Sequence, residues 1–233
     1  NARLLSAEPW NGGEETGESV ALADARLVAP VAPSKIVCIG KNYAKHAAEM
    51  GSDVPKTPLL FLKAPTSILG PGETIELPSQ SQRVEHEGEL AVVIGRKARH
   101  VTREEALSFV FGYACANDVT ARDLQRSDVQ FTRSKSFDTF CPIGPWIETE
   151  LDPTRVGVTL TVNGTIRQDG NARDMVFPVA YLISFISSVM TLLPGDVILT
   201  GTPEGVGPLV DGDSVSVGID GVGTLENPVR TGR

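Results

Sequence analysis

Residues 85–95, EHEGELAVVIG, decide the fold of this chain. The second half of this segment is an unbroken apolar run, rich in β-branched residues and closed by glycine, which predicts a buried strand. Side chains alternate along a strand, so Glu87 and Glu89 at its head share one face, which Glu85 can join. Neighbouring carboxylates repel one another unless a cation neutralises them. A bound cation and a solvated acidic strand end are therefore the two interpretations of this segment.

Short apolar runs separated by turn residues recur along the chain. Its 23 Gly and 16 Pro favour many turns and a strand-rich fold. Asn163-Gly164 lies between two strand-like segments and predicts a two-residue hairpin turn. Thr102–Glu105 has a capping-box pattern, which predicts a helix running to about Val110. The sequence thus predicts a β-dominated α+β fold with a few helices. Further strands are predicted at residues 36–39, 58–62, 67–69, 158–162, 165–167, 197–200 and 214–219, and further helices at residues 42–50 and 178–193.

The N-terminal part of the chain differs from the rest. Residues 11–18 are polar and glycine-rich, and Pro30 and Pro33 bracket an extended linker. We predict a small N-terminal appendage and linker over residues 1–33, followed by a catalytic domain over residues 34–233.

Composition excludes several classes of partner. The net charge of −8 and the pI of about 5.0 argue against a surface that tracks phosphates, so no nucleic-acid partner is expected. The sequence predicts neither a signal peptide nor a membrane span, because its longest apolar segment, residues 176–193, is broken by proline, tyrosine and serines. Three cysteines in apolar stretches predict free, buried thiols in a reducing cytoplasm; they are Cys38, Cys115 and Cys141.

A third carboxylate could join the acidic pair. Asp118 follows the apolar stretch of residues 110–116, at the end of a buried element, where binding sites are often built. On its own it could equally be a helix N-cap or turn residue. Together with Glu87 and Glu89 it would give an all-oxygen ligand set, which suits Mg²⁺, Mn²⁺ or Ca²⁺ and disfavours zinc.

Three further segments could carry chemistry. His46 and Glu49 are neighbours on one face of a predicted helix, and a carboxylate beside an imidazole makes a general base; an exposed polar pair is the alternative. Lys135 could supply positive charge to an anionic substrate or a developing enolate, or lie in a solvated loop. The glycine-rich loop 201–208 has neither a P-loop nor a dinucleotide pattern. It could bind a carboxylate through Thr202 or be a structural turn.

Five segments, taken in order, resemble the fumarylacetoacetate hydrolase family, in its compact bacterial form. The resemblance extends from residue 34 to the end of the chain. The matching segments are Gly40–Tyr43 leading to His46 and Glu49, Glu87–Leu90, Asn117–Asp123, Ser134–Thr139 and Thr200–Gly207.

The resemblance implies a mixed β-sandwich roll, a homodimer, and a metal site in a cleft beneath a lid. It also implies roles for nine residues. They are Glu87, Glu89 and Asp118 as ligands of Mg²⁺ or Mn²⁺; His46, Glu49 and Lys135 as catalytic residues; and Arg122, Gln125 and Thr202 as substrate-binding residues.

The activity that the resemblance implies is metal-dependent chemistry on a small 2-oxo acid through a metal-bound enolate. Cleavage of a carbon–carbon bond, of the acylpyruvate hydrolase or oxaloacetate decarboxylase type, is expected first. Isomerisation or decarboxylation of 2-hydroxyhepta-2,4-diene-1,7-dioate in aromatic catabolism is the alternative. A non-catalytic binding protein is least expected, because both His46 and Glu49 are present.

Overall fold

The computed structural model describes residues 1–232. The strands are β1 Ala2–Leu5, β2 Glu15–Val20, β3 Ile36–Gly40, β4 Leu59–Lys63, β5 Ile68–Leu69, β6 Ile75–Leu77, β7 Val84–His86, β8 Gly88–Ile94, β9 Val110–Asn117, β10 Thr120–Ala121, β11 Cys141–Glu148, β12 Gly157–Val162, β13 Thr165–Asn171, β14 Val197–Leu199, β15 Gly207–Pro208, β16 Ser214–Ile219 and β17 Gly223–Thr231. The α-helices are α1 Ala44–Glu49, α2 Arg122–Ser127, α3 Thr132–Lys135 and α4 Val179–Val189.

Two large sheets form the body of the molecule. One has seven strands in the order β4-β3-β14-β8-β9-β11-β5, and the other has five in the order β13-β12-β16-β17-β6. Strands β8, β9 and β11 of the first sheet lie against β12, β16 and β17 of the second. A three-stranded sheet, β10-β7-β15, completes the region around the start of β8. The predicted β-dominated α+β fold is confirmed.

Strand β8 is buried on both faces, as its continuous apolar sequence predicts. Leu90 and Val92 contribute to the main core, which the two large sheets enclose, while Ala91 and Val93 join a second cluster on the opposite face. Glu89 lies at the end of β8 nearest β7, where the apolar run stops, and the alternation places it on the same face as Ala91 and Val93.

The connectivity brings several segments to one edge of the seven-stranded sheet. Strands β3 and β14 run parallel, so their carboxyl ends meet at the same edge. Strand β8 is antiparallel to both β14 and β9, so β8 begins at that edge and β9 ends there. The acidic segment, the residues after β9, the start of α1 and the glycine-rich loop therefore converge, although they are distant in sequence.

The prediction of a helix from Thr102 to Val110 is wrong. The capping-box contact forms, since the Thr102 hydroxyl accepts from the Glu105 N–H at 3.4 Å, but only a short 3-10 helix, Ala106–Phe109, follows it. Strand β9 then begins at Val110 between β8 and β11. Residues 103–109 thus form a turn and a 3-10 helix that leads into β9, and not the predicted α-helix.

Other local predictions are confirmed. Asn163 and Gly164, with φ values of 52° and 75°, form the predicted turn between β12 and β13. All three cysteines are free and buried. Within residues 1–232 every helix is too short or too polar to cross a bilayer.

The N-terminal segment carries a two-stranded sheet, β1-β2. It contacts the rest of the chain through Trp10, whose ring meets that of Phe111 edge to face at 5.2 Å between centroids. The division into an appendage over residues 1–33 and a catalytic domain from residue 34 stays a prediction.

Candidate active site

Three predicted carboxylates converge in the structure. Glu87 precedes β8, Glu89 is its second residue, and Asp118 follows β9. One oxygen from each lies within 4.8 Å of the others, and all three residues are buried. The backbone fixes this arrangement, because the Asp118 N–H donates to the Glu87 carbonyl at 2.8 Å. We call these three residues the carboxylate triad.

Buried cations surround the carboxylate triad. The Lys135 ammonium donates to Glu87 at 2.9 Å and to Asp118 at 2.7 Å, so it bridges two of the three acids. The Lys63 ammonium donates to the other Asp118 oxygen at 2.6 Å. Arg122 forms a further ion pair with Glu87.

Sequence reasoning missed Lys63 and misjudged Glu85. Lys63 ends the apolar strand β4 and is 1% exposed; a lysine closing an apolar run was the available signal. Glu85 does not join the carboxylate triad, since Arg122 donates to it at 2.6 Å and Arg83 pairs with it as well. Glu85 therefore holds Arg122 in position.

The pKa values of the two glutamates in the carboxylate triad are shifted in opposite directions. Burial raises the pKa of Glu87, but the positive charges of Lys135 and Arg122 outweigh it, so the pKa lies well below its ordinary value. Burial also raises the pKa of Glu89, and repulsion from Asp118 and Glu87 raises it further. Without a bound cation, the pKa of Glu89 is therefore raised while that of Glu87 is lowered.

Lys135 and Arg122 keep their charge. Burial lowers the pKa of Lys135, but Asp118 and Glu87 more than offset this, so the pKa lies above its usual value. The pKa of Arg122 is raised in the same way by Glu87 and Glu85 against the effect of burial. Lys135 is therefore suited to electrostatic stabilisation and not to proton abstraction.

The carboxylate triad fits a hard divalent ion. Its donors are carboxylate oxygens, which Mg²⁺ and Mn²⁺ prefer. The Glu89 carboxylate accepts one hydrogen bond within residues 1–232, from the Gly201 N–H at 2.7 Å, and faces no ion-pair partner there. Gly201 has a φ of 97°, and a Cβ there would lie 2.7 Å from the Asn42 Cβ, so only glycine permits this approach. A cation beside Glu89 would remove the repulsion that raises its pKa.

The predicted dyad lies on α1, above the carboxylate triad. His46 is 6% exposed, and its Nδ1 lies 3.4 Å from the Glu49 carboxylate. The Gly205 N–H also donates to both Glu49 oxygens at 3.1 Å, which ties α1 to the glycine-rich loop. If Nδ1 carries the proton donated to Glu49, Nε2 offers its lone pair as a base.

A cavity of about 220 Å³ is lined by Glu87 and Glu89 of the carboxylate triad and by His46 of the dyad. Three residues predicted to contact substrate line it, together with His46 and Lys135. They are Arg122, Gln125 and Thr202. The Thr202 hydroxyl is engaged within the protein, since it donates to the Gly88 carbonyl at 2.8 Å and accepts from Gln168 at 2.7 Å. The contact of these three residues with substrate stays a prediction.

Two known protein families match separate parts of this chain. Residues 35–230 match the family described as fumarylacetoacetate (FAA) hydrolase C-terminal. The chain belongs to the fumarylacetoacetate hydrolase family. Residues 1–30 match a second family, described as Rv2993c-like, N-terminal.

Individual relatives in the fumarylacetoacetate hydrolase family are enzymes of several types. Oxaloacetate tautomerase FAHD1, mitochondrial, of Arabidopsis thaliana is 49% identical, over 84% of this chain and 91% of its own. The structure of 2-hydroxyhepta-2,4-diene-1,7-dioate isomerase from Mycobacterium marinum has a TM-score of 0.92 and 48% identity, over 98% of this chain and 87% of its own. That of maleylpyruvate hydrolase from Sphingobium sp. SYK-6, in complex with manganese(II) ion and pyruvate, has a TM-score of 0.81 and 39% identity, over 96% and 79%.

These findings confirm the family, the fold class and the prediction of an enzyme. A manganese ion is bound in one family member, and the carboxylate triad could hold a metal. The choice between Mg²⁺ and Mn²⁺, the roles of the individual residues and the reaction are predictions.

Proposed function

We propose that this enzyme interconverts the keto and enol forms of a small 2-oxo acid, with oxaloacetate as the first candidate, and requires Mg²⁺ or Mn²⁺. One observation carries the proposal: Glu87 and Glu89 of the buried carboxylate triad line the same cavity as His46, which is paired with Glu49. Relatives named oxaloacetate tautomerase, from Bacillus subtilis and Arabidopsis thaliana, support the choice of substrate.

The dyad supplies the proton transfer. His46 would take a proton from carbon 3 of the keto form through Nε2 and return it to the oxygen on carbon 2, which gives the enol. Glu49 orients the imidazole and stabilises its charged form. Because the Gly205 N–H also binds Glu49, the dyad keeps its orientation only while α1 stays docked on the glycine-rich loop.

The cations beneath the dyad stabilise negative charge. A divalent ion held by the carboxylate triad would act as a Lewis acid towards the 2-oxo group. Lys135 keeps its charge in this buried setting and would stabilise the negative charge that develops on the substrate oxygens. Arg122 and Gln125 would contact the substrate carboxylate, and burial keeps water from competing with these interactions.

Hydrolysis of an acylpyruvate is the second candidate. The same dyad could deprotonate a water molecule that attacks the distal carbonyl, with release of the enol of pyruvate. The hydrolase relative solved with manganese(II) and pyruvate favours this possibility. Oxaloacetate decarboxylation would pass through the same enolate of pyruvate, whereas isomerisation of a hydroxydienedioate would pass through its own dienolate. The homodimer that the resemblance implies also stays a prediction, which light scattering would test.

The test compares substrates and metals directly. Protein stripped with EDTA is reloaded with Mg²⁺ or Mn²⁺ and given oxaloacetate, acetylpyruvate or 2-hydroxyhepta-2,4-diene-1,7-dioate, and NMR identifies the products. We expect metal-dependent acceleration of oxaloacetate tautomerisation, with slower or no cleavage of the other substrates. Pyruvate and acetate formed from acetylpyruvate as the fastest reaction would favour the second candidate.

A matched pair of histidine variants tests the dyad. His46→Asn should lower kcat by about 10²- to 10⁴-fold, whereas His100→Asn, an exposed residue, should retain it. Full activity in metal-free His46→Asn protein would refute the proposal.

A further inference from the structure

Two basic residues of the cavity, Lys41 and Arg126, lack a partner of opposite charge within residues 1–232. Both line the cavity, yet neither side chain forms an ion pair or hydrogen bond in the part of the chain described. The other two basic residues beside them are engaged: Arg122 and Lys135 donate to the carboxylates beneath the cavity. Positive charge available to a ligand is therefore concentrated at Lys41 and Arg126.

Lys41 has an unusual backbone. It follows Gly40, the last residue of β3, and its φ of 58° lies in the left-handed region. A lysine in this conformation costs free energy that glycine would avoid, and such residues cluster at binding sites. Its half-buried side chain borders the cavity. We therefore connect the unfavourable backbone conformation with binding in the cavity.

Arg126 shares a helical face with two residues predicted to bind substrate. Arg122, Gln125 and Arg126 are spaced three and four residues apart on α2, and all three line the cavity. Residues at this spacing lie on one face of a helix. The face of α2 turned towards the cavity therefore carries one engaged arginine near the carboxylate triad and one unpaired arginine a turn farther along.

The rest of the cavity wall suits a short carbon chain. Its apolar members are Ile39, Met50, Leu59, Phe61 and Phe131. A volume of about 220 Å³ admits a small metabolite. A ligand whose 2-oxo carboxylate end lies at the triad would present its other end to a largely apolar wall with unpaired cations.

We propose that Lys41 and Arg126 form a distal anion subsite that selects 2-oxo acids with a second carboxylate. The inference rests on the proposed function for the location of the 2-oxo end. Oxaloacetate already carries a second carboxylate, and the inference adds the two residues that recognise it and determine specificity. A carboxylate between two cations forms charge-assisted hydrogen bonds, whereas a methyl group at the same position forms none.

The experiment compares ligands that differ only at the far end. Enolisation of oxaloacetate and of 2-oxobutanoate is followed by NMR as proton exchange at carbon 3. In parallel, binding of 2-oxoglutarate and 2-oxopentanoate to the Mn²⁺-loaded protein is measured by calorimetry. The variant is Lys41→Gln/Arg126→Gln. The control is Lys56→Gln/Arg155→Gln, which removes the same charge from exposed positions outside the cavity.

We expect the wild type and the control to prefer the dicarboxylate of each pair by about tenfold or more. The Lys41→Gln/Arg126→Gln variant should lose this preference, through a higher KM with kcat within about twofold, and should bind the monocarboxylates normally. Equal losses for both members of a pair, or an unchanged preference, would overturn the subsite. If the wild type enolises neither substrate, the proposed function fails. The preference for 2-oxoglutarate over 2-oxopentanoate in calorimetry still tests whether the subsite exists.

Discussion

Replacement of Lys63 by methionine tests the ion-pair network beneath the candidate metal site. The Lys63 side chain is fully buried and donates to Asp118 at 2.6 Å. Methionine has a similar length and leaves little cavity, so the substitution chiefly removes a charge. Asp118 would then keep one cationic partner, Lys135, at 2.7 Å.

The expected loss of stability follows from this geometry. Removal of one partner of a buried ion pair costs about 3–5 kcal/mol because the other charge is left uncompensated. Since Lys135 still compensates the charge of Asp118, we expect a loss of stability at the lower end of this range, about 3 kcal/mol. For a domain of 150–250 residues, that corresponds to a fall in Tm of about 6–12 °C.

The metal should change this result. A divalent ion next to Asp118 supplies the charge that Lys63→Met removes, and loss of a neighbouring cation raises affinity for the ion. Differential scanning calorimetry with and without Mn²⁺ should therefore show a smaller deficit in the loaded protein. Lys35→Met, which breaks the remote ion pair with buried Asp196, is the control and should show a deficit that Mn²⁺ leaves unchanged. A Lys63→Met deficit that is equally insensitive to Mn²⁺, or absent in metal-free protein, would refute the reasoning.

Further predictions concern the carboxylate triad and the dyad. Glu87→Gln or Asp118→Asn should abolish Mn²⁺ binding in calorimetry and lower activity to background, while circular dichroism stays native. Metal binding should release a proton from Glu89, because burial and its acidic neighbours raise its pKa in the metal-free protein; metal affinity should then rise by about tenfold per pH unit below that pKa and level off above it. Calorimetry in buffers of different ionisation enthalpy measures that proton, and an unchanged heat would contradict the assignment. Glu49→Gln should lower kcat and leave Mn²⁺ affinity within about twofold, since Glu49 acts on His46 and not on the metal.

The sequence predicted most of what depends on local pattern. Strand β8 follows from its unbroken apolar run, and the β12-β13 turn from Asn163-Gly164, since both residues tolerate positive φ. The grouping of Glu87, Glu89 and Asp118 was expected from the position of Asp118 at the end of a buried element and from the family resemblance, and the structure brings the three together.

What the sequence did not predict depends on contacts between distant segments. The helix expected after Thr102 is replaced by a turn and the 3-10 helix Ala106–Phe109, which leads directly into β9, and the local capping pattern does not report this connection to the sheet. Lys63 and Glu85 gain their roles only when β4 and α2 are packed against the acidic segment. Their charges are ordinary in sequence and become informative only once burial and partners are known.

If the carboxylate triad holds the metal, as proposed, the register between β8 and β9 makes metal retention a readout of correct refolding. Gly88 pairs with Asn117 and Glu89 with Ala116. A shift of one residue between these strands would turn alternate side chains to the opposite face and separate the three acidic groups. Refolded material that captures Mn²⁺ with native affinity has therefore assembled the middle of its larger sheet correctly, which a bulk measure of strand content cannot report.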